Sequence, residues 1–156
     1  MIKVVSGGQT GVDRVALDVA IETGLQHGGW CPLGRRAEDG VIPDRYALTQ
    51  SDSRNYAVRT QQNIVDSDGT LVFFFEKASG GTSLTIGLAK KLGKPILAID
   101  VSGCLTDLPA QIIDWIGKQE ISVLNVAGPR LSSSPELPDR IRPILKAVLE
   151  SLKSVG

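Results

Sequence analysis

The sequence contains few of the residues that build covalent or metal-bound frameworks. It has two cysteines, Cys31 and Cys104, far apart along the chain, and a single histidine, His27. Neither cysteine has neighbouring ligand residues at zinc spacing, and the two do not form a redox motif. The sequence therefore predicts reduced thiols and no direct protein-bound metal. Because His27 has no evident nucleophile or acid partner, we assign it no catalytic role.

The chain also lacks an excess of charge of either sign and any long apolar run. Lysine and arginine together number 17, and so do aspartate and glutamate. A dedicated nucleic-acid binder usually carries a basic excess, so that class is disfavoured. No stretch approaches the roughly 18 apolar residues of a membrane span, and the apolar start is too short for a signal peptide. We expect a cytoplasmic protein with no membrane partner.

The chain has the length of one ordinary domain, residues 1–156. Short β-branched segments alternate with segments of helical period, which predicts a doubly wound α/β fold: a mainly parallel sheet with helices on both faces. The predicted strands are 2–5, 28–31, 70–75, 95–100 and 121–126, with a long polar loop over 32–48. The predicted helices are 11–23, 55–65, a segment from residue 80 to Gly93, a segment capped by Asp107, and a last helix starting near Pro143.

A glycine-rich turn follows the first predicted strand and opens the first predicted helix. Glycines let a ligand approach the backbone closely, and the N–H groups and dipole of a helix N-terminus favour an anion. The turn lacks the lysine of a P-loop and the spacing of a dinucleotide fingerprint, so a tight turn without a ligand is the alternative. Its candidate ligand contacts are Ser6, Gly7, Gly8, Thr10 and Gly11, with two hydroxyls among the donors.

A second turn of the same construction, Gly80-Gly81-Thr82, follows the central predicted strand. The carboxyl ends of parallel strands meet at one edge of the sheet, so two such turns can hold one phosphate between two helix N-termini. This repetition favours ligand binding over a purely structural role.

Charged residues extend the predicted site. Asp13 suits the positive end of the first helix, but Arg14 needs an anionic partner there, either Asp18 or a bound ligand, and we prefer the ligand. Arg35 and Arg36 offer multidentate recognition of an oxyanion, unless the acids that follow them neutralise the pair. Arg59 and Asn63, one turn apart on the polar side of their helix, have two alternatives, the same crevice or a surface helix face, and we prefer the surface face.

Five segments resemble the bacterial molybdenum carrier protein family: SGGQTGVDRVALD, HGGWCPLGRRAEDG, RTQQNIVDSDGTLVFF, SGGTSLT and LNVAGPR. The resemblance covers nearly the whole chain in the correct order. It implies a Rossmann-like fold, shared with lysine-decarboxylase-like phosphoribohydrolases, DNA-processing protein A and an algal molybdenum cofactor carrier. It also implies a phosphorylated ligand, the molybdenum cofactor or a nucleotide, and a homo-oligomer. The contacts carried over by position are Gly7, Gly8, Thr10, Gly11, Asp13, Arg35, Arg36, Gly80, Gly81 and Thr82.

The chain departs from the related hydrolases at one position. Those enzymes follow the threonine of the second turn with a catalytic glutamate, whereas Thr82 is followed here by Ser83 and Leu84. We therefore expect a binding protein, a carrier or sensor without turnover. The alternative is a hydrolase that cleaves an N-glycosidic bond in a nucleotide. Its acids would be Asp13, Glu38 or Asp39, one of which would need a raised pKa to act as a general acid.

Overall fold

A computed structural model describes residues 1–155 of the chain, and the side chain of residue 155 lies outside the description. Five parallel strands form the main sheet in the order β2–β1–β9–β7–β8, and two short two-stranded pairs, β3–β6 and β4–β5, lie outside it. The strands are β1 (Lys3–Val5), β2 (Gln26–Gly28), β3 (Trp30–Cys31), β4 (Arg36–Ala37), β5 (Gly40–Val41), β6 (Thr49–Gln50), β7 (Gly69–Phe74), β8 (Ile96–Asp100) and β9 (Val123–Ala127). The helices are α1 (Val12–Glu22), α2 (Tyr56–Val65), α3 (Gly80–Lys91), α4 (Leu108–Lys118) and α5 (Leu137–Val155). The predicted doubly wound α/β fold is confirmed.

The order of the strands places the helices on two faces and opens a crevice between β1 and β7. The β1–α1–β2 and β7–α3–β8 units run in opposite directions along the sheet, so right-handed crossovers put α1 and α3 on opposite faces. Helices α1, α4 and α5 pack together on one face, and α2 packs on α3 on the other. Strand β9 lies between β1 and β7, at the point where the connections between strands change their direction along the sheet. Ligands of such sheets bind at this point.

The sheet interior is apolar because its central strand is buried on both faces. Leu71, Val72 and Phe73 of β7 are fully buried, as the continuous apolar run predicts. Leu71 and Phe73 pack with the inward faces of α1 and α5 in one hydrophobic core. Among residues 1–155, no helix is both long and apolar enough to cross a membrane.

The predicted second strand, 28–31, is divided in the structure at Gly29. Gly28 ends β2 in the main sheet, while Trp30 begins β3, which pairs with β6. Gly29 has a φ of 124°, and a Cβ there would lie 2.3 Å from the carbonyl oxygen of Ser6. Only glycine fits this close approach between two backbones, and the chain leaves the sheet at that residue.

The long loop after β3 is folded onto α1 as a small second core. Ile42 and Tyr46 of the loop are fully buried against Leu17 of α1 and Cys31. The hydroxyl of Tyr46 donates to the Asp18 carboxylate at 2.6 Å. The segment is therefore held by packing rather than being a mere connection.

The predicted start of the last helix, near Pro143, is wrong. Helix α5 begins at Leu137 and contains Pro143 within it. The missing N–H of this proline removes the hydrogen bond that would reach the carbonyl of Asp139, four residues back. Leu137 and Ile141 are both fully buried in the main core, and their burial outweighs that loss.

Candidate functional site

A polar cavity of about 380 Å³ lies at the carboxyl ends of β1, β7 and β9. Four segments form its walls: the β1–α1 turn, the first turns of α2, the β7–α3 turn with α3, and the segment after β9. Most of the lining side chains carry a hydroxyl, an amide or a charge. The lining residues are Gln9, Asp13, Tyr56, Arg59, Thr60, Lys77, Ser79, Gly80, Gly81, Thr82, Leu84, Thr85, Ala127, Gly128, Pro129, Arg130, Ser132, Ser133 and Ser134.

The glycines of the β1–α1 turn face other parts of the protein. A Cβ on Gly7 would lie 2.0 Å from Nη1 of Arg59, so the guanidinium packs directly on the Gly7 backbone. Gly8 has a φ of +77° and would place a Cβ 2.5 Å from Leu48. Gly11, with a φ of +82°, would place one 2.6 Å from the Pro129 carbonyl oxygen. The space beside the three glycines is thus occupied by protein atoms, whereas the sequence predicted ligand atoms there.

The two hydroxyls of the same turn are also used within the protein. Ser6 Oγ donates to the Asp13 carbonyl at 3.1 Å and accepts from the Gly8 amide at 3.3 Å. Thr10 Oγ1 donates to the Glu38 carboxylate and accepts from the Leu131 amide at 3.1 Å. The N-terminus of α1 is covered in the same way, because the Val12 amide donates to the carbonyl of residue 129.

Arg14 has a protein partner that the sequence did not indicate. Its guanidinium forms two hydrogen bonds with the Asp39 carboxylate, at 2.5 and 2.8 Å, and its Nε donates to the Gly8 carbonyl at 3.1 Å. The side chain of Arg14 is 14% exposed. Its carboxylate partner is Asp39 rather than Asp18, Arg14 is not among the residues that line the cavity, and the pairing lowers the pKa of Asp39. Arg14 therefore anchors the β4–β5 hairpin to the β1–α1 turn.

Arg35 and Arg36 lie outside the lining of the cavity. Arg35 donates to the carbonyls of Ile42, Pro43, Tyr46 and Leu48 at 2.8–3.4 Å, so it holds the folded loop together. Arg36 is exposed on β4. The structure thus separates the arginine pair from the second glycine turn.

The β7–α3 turn differs because its glycines face open space. A Cβ on Gly80 or Gly81 would have no heavy atom within 4 Å, and both residues line the cavity. Ser79 occupies the N-cap position of α3 but makes no side-chain capping hydrogen bond. Its carbonyl accepts from the Thr82 amide at 3.1 Å. The first N–H groups of α3 therefore lie at the cavity, where the helix dipole favours an anion.

Asp13 is a buried acid in the wall of the cavity. Its side chain is 4% exposed, and Oδ2 lies 3.7 Å from Nη1 of Arg59 and accepts from the Gln9 amide at 3.2 Å. Burial raises the pKa of Asp13 to about 6, although the charges of Arg59 and Arg14 and the backbone hydrogen bonds oppose that rise. A carboxyl with this pKa exchanges its proton near neutral pH.

Three cationic side chains that were not among the predicted ligand contacts also line the cavity: Arg59, Lys77 and Arg130. Arg59, predicted to lie on a surface face, has a side chain only 13% exposed. Its guanidinium carbon lies 5.6 Å from the centre of the Tyr56 ring, and that of Arg130 lies 5.8 Å from the same centre. Lys77 lines the cavity from the β7–α3 turn. Arg130 is the last residue of the LNVAGPR segment and follows the end of β9 at Ala127. This position after a strand end is the feature of the sequence that could have indicated Arg130 as a residue of the site.

Asn63, one turn after Arg59, has a structural role. Its side-chain amide accepts from the Trp30 amide at 2.8 Å and donates to the Trp30 carbonyl at 2.9 Å. It therefore connects α2 to β3.

Glu38 connects the β4–β5 hairpin to two segments beside the cavity, the β1–α1 turn and the segment after β9. Its carboxylate accepts from the hydroxyls of Thr10 and Ser132 and from the Ser132 amide at 3.2 Å. Gln9 Oε1 accepts from the amides of Thr10 and Glu38 at 3.0 and 2.9 Å. Ser132 and Thr10 hold the pKa of Glu38 below its usual value. This network fixes the positions of Gln9 and Ser132 in the cavity wall.

Of the residues expected from the sequence, Asp13, Gly80, Gly81 and Thr82 line one cavity. Direct contact with a ligand stays a prediction for every residue of the expected set. Within residues 1–155, no group of three or more histidine, cysteine, aspartate or glutamate side chains is arranged to hold a metal ion.

The sheet order and the position of the cavity define a Rossmann-like α/β protein with a polar crevice at its topological switch point. Residues 4–149 match the Circularly permutated YpsA SLOG family, cpYpsA, and the chain belongs to that family. No curated protein matches the sequence. The fold is similar to the 1.45 Å crystal structure of a protein named "Putative molybdenum carrier protein" from Syntrophus aciditrophicus SB, with 41% sequence identity and a TM-score of 0.93. The match covers 96% of this chain and 95% of that one, so the resemblance to the molybdenum carrier family is confirmed.

Proposed function

We propose that this protein binds a small phosphorylated ligand in the cavity, with the phosphate at the N-terminus of α3. The observation that carries the proposal is the open second glycine turn, Gly80-Gly81-Thr82, facing a cavity lined by three cationic side chains and one acid. A helix N-terminus and arginine side chains are both suited to phosphate recognition. This arrangement supports a binding function for an anion.

The ligand that we propose is nucleotide-like or a pterin phosphate, with the molybdenum cofactor as the first candidate. The cavity volume of about 380 Å³ lies within the range of roughly 300–1,000 Å³ typical of small-ligand sites. The name of the similar Syntrophus protein supports the molybdenum cofactor as a candidate. In this proposal the first glycine turn contributes through Gln9 and Asp13 rather than through its glycines. The protein acts as a carrier or sensor that holds its ligand without turnover.

Substitution of Gly81 tests the site without disturbing the rest of the fold. In Gly81→Val the added side chain enters open space at the cavity, and we expect affinity for nucleoside monophosphates or molybdenum cofactor to fall by about tenfold or more, or roughly 1.4 kcal/mol. Isothermal titration calorimetry measures this loss. Gly87→Val is the matched control, because Gly87 lies in the same helix, also faces open space and does not line the cavity. Equal affinities in both variants and the wild type would show that the ligand does not bind at α3.

One observation favours a second candidate function, hydrolysis of an N-glycosidic bond in a nucleotide. Of the three acids considered for such a reaction, only Asp13 has a raised pKa, while those of Glu38 and Asp39 are lowered. A protonated Asp13 in the cavity wall would be able to donate to a leaving group. Release of free base from nucleoside monophosphates, lost in Asp13→Ala, would establish turnover and exclude a simple carrier.

A further inference from the structure

Asp13 and Arg59 form a buried pair of opposite charge within the wall of the proposed site. Asp13 belongs to α1 and Arg59 to α2, so the pair joins the two helices across the β1–α1 turn. The distance of 3.7 Å between Arg59 Nη1 and Asp13 Oδ2 is that of an ion pair rather than of a close hydrogen bond. The two charges therefore compensate each other only in part.

Arg59 has capacity for a further acceptor. Its guanidinium packs against Gly7, where no side chain intervenes. Its Nε is buried and has no hydrogen-bond partner among the residues that the structure describes. A buried N–H of a charged group without an acceptor is costly, and a shift of the guanidinium towards an anion in the cavity would give it one.

The other charged side chains near Asp13 determine how a bound anion would affect its protonation. Arg14, on the same helix, is paired with Asp39 of the hairpin. Lys77 and Arg130 face the cavity from the β7–α3 turn and the segment after β9, and neither has a salt-bridge partner within residues 1–155. Among the described residues, Asp13 is the only acid of the lining. Glu38 lies outside the lining, where its carboxylate accepts from Thr10 and Ser132. Within the lining itself, a bound anion would therefore meet a single acid.

We propose that anion binding in this cavity is coupled to the uptake of a proton by Asp13, which neutralises the one lining acid and releases Arg59 to the anion. The inference rests on the proposed function, because it concerns the same cavity and names its regulation. When Asp13 is ionised, it competes with the anion for Arg59. When Asp13 is protonated, the cavity carries only cationic and neutral groups.

The direction of the pH dependence follows from this coupling. Burial raises the pKa of the free Asp13 to about 6, and an adjacent anion raises it further because it disfavours a second negative charge. Affinity therefore increases as the pH falls from 8 towards 6. About one pH unit below this pKa the free protein already carries the proton, and affinity becomes independent of the titration of Asp13.

Inorganic sulfate is a suitable probe because it keeps its double negative charge between pH 5.5 and 8, unlike phosphate. We expect the dissociation constant for sulfate to be about threefold to thirtyfold higher at pH 8 than at pH 6, since one linked proton changes affinity by at most about tenfold per pH unit. Calorimetry at pH 7 in two buffers of different ionisation enthalpy should show uptake of a fraction of one proton on binding. This measurement needs no variant.

Asp13→Asn tests the assignment to a single residue. The amide oxygen still accepts from Gln9, and we expect sulfate to bind this variant with the same affinity at pH 6 and pH 8, at least as tightly as it binds the wild type at pH 6. His27→Gln is the matched control. His27 is the only histidine of the chain and lies outside the cavity lining, so the pH dependence should persist in this variant.

The outcomes separate this inference from the proposed function. If sulfate and phosphorylated ligands bind with no pH dependence and no proton uptake, the coupling is wrong and the binding function stands. If the pH dependence persists in Asp13→Asn or disappears in His27→Gln, another group carries the proton and the inference fails. If no anion binds at any pH, both proposals are overturned.

Discussion

The two glycine turns of this protein have similar sequences and opposite surroundings. In the β1–α1 turn, a Cβ on Gly7 or Gly11 would collide with protein atoms at 2.0 and 2.6 Å. In the β7–α3 turn, a Cβ on Gly80 or Gly81 would meet nothing within 4 Å. The first turn therefore uses glycine to admit the protein itself, and the second leaves a helix N-terminus open at a cavity. A glycine-rich strand-to-helix turn is a candidate ligand site only when the space beside it is empty.

The largest effect should come from Gly11→Ala. The added Cβ would lie 2.6 Å from the Pro129 carbonyl oxygen and 2.8 Å from the Leu131 amide, and the residue would keep a φ of +82°. Left-handed strain and overpacking against the backbone together should lower the free energy of unfolding by about 2–5 kcal/mol. Urea denaturation followed by circular dichroism measures this loss. A loss below about 1 kcal/mol would mean that the turn tolerates a side chain and that its closed packing is not required.

A smaller effect is expected from Gly7→Ala, because the atoms that it displaces belong to a flexible side chain. The Cβ would occupy the place of the Arg59 guanidinium, which can move away. We expect a loss of about 1–2 kcal/mol in the free energy of unfolding. The pKa of Asp13 should rise above its value of about 6, since Arg59 lowers it in the wild type.

Titration of the carboxyl carbons by nuclear magnetic resonance follows Asp13 directly in this variant. An unchanged pKa for Asp13 would show that its interaction with Arg59 does not depend on the absence of a side chain at Gly7. The same spectra of Gly87→Ala serve as the reference, because Gly87 is remote from the pair in the sequence and has open space beside it.

The smallest effect, and one of opposite sign, is expected from Gly81→Ala. Gly81 lies in the first turn of α3, adopts an ordinary backbone conformation and has open space beside it. Replacing it with alanine reduces the entropy of the unfolded chain and should raise the free energy of unfolding by about 0.5–1 kcal/mol. A clear destabilisation in urea unfolding would reveal packing around this turn that the structure lacks.

Much of the fold was predictable because its signals are local. The apolar run of β7 predicted a central strand, and the helical period of residues 11–23 and 55–65 predicted α1 and α2. Asn55 caps α2 by accepting from the Ala57 amide at 2.9 Å, at the position where the predicted helix starts. Two predictions from local signals were wrong. Pro143 indicated the start of the last helix, but α5 begins earlier, at Leu137. The second strand was predicted to continue through Gly29, but β2 ends at Gly28.

The candidate site was less accessible to sequence reasoning because its residues come from four distant segments. Nothing in the local sequence distinguished Arg59 from an exposed helix residue. Its guanidinium occupies the space that a side chain at Gly7 would fill, and there it lies beside Asp13. Arg14 and Arg35 had the chemistry of anion binders. The folded loop over residues 32–48 instead supplies Asp39 and four backbone carbonyls as their partners.

The sequence by itself determined the alternation of strands and helices, and with it the edge of the sheet where both glycine turns lie. Hydrophobic period and turn chemistry are local properties, and they suffice for that conclusion. Only the tertiary structure decided which turn is filled and which is open, and that Asp13 is buried beside Arg59. The space beside a glycine and the solvation of a carboxyl depend on segments that are remote in sequence, so no local pattern encodes them.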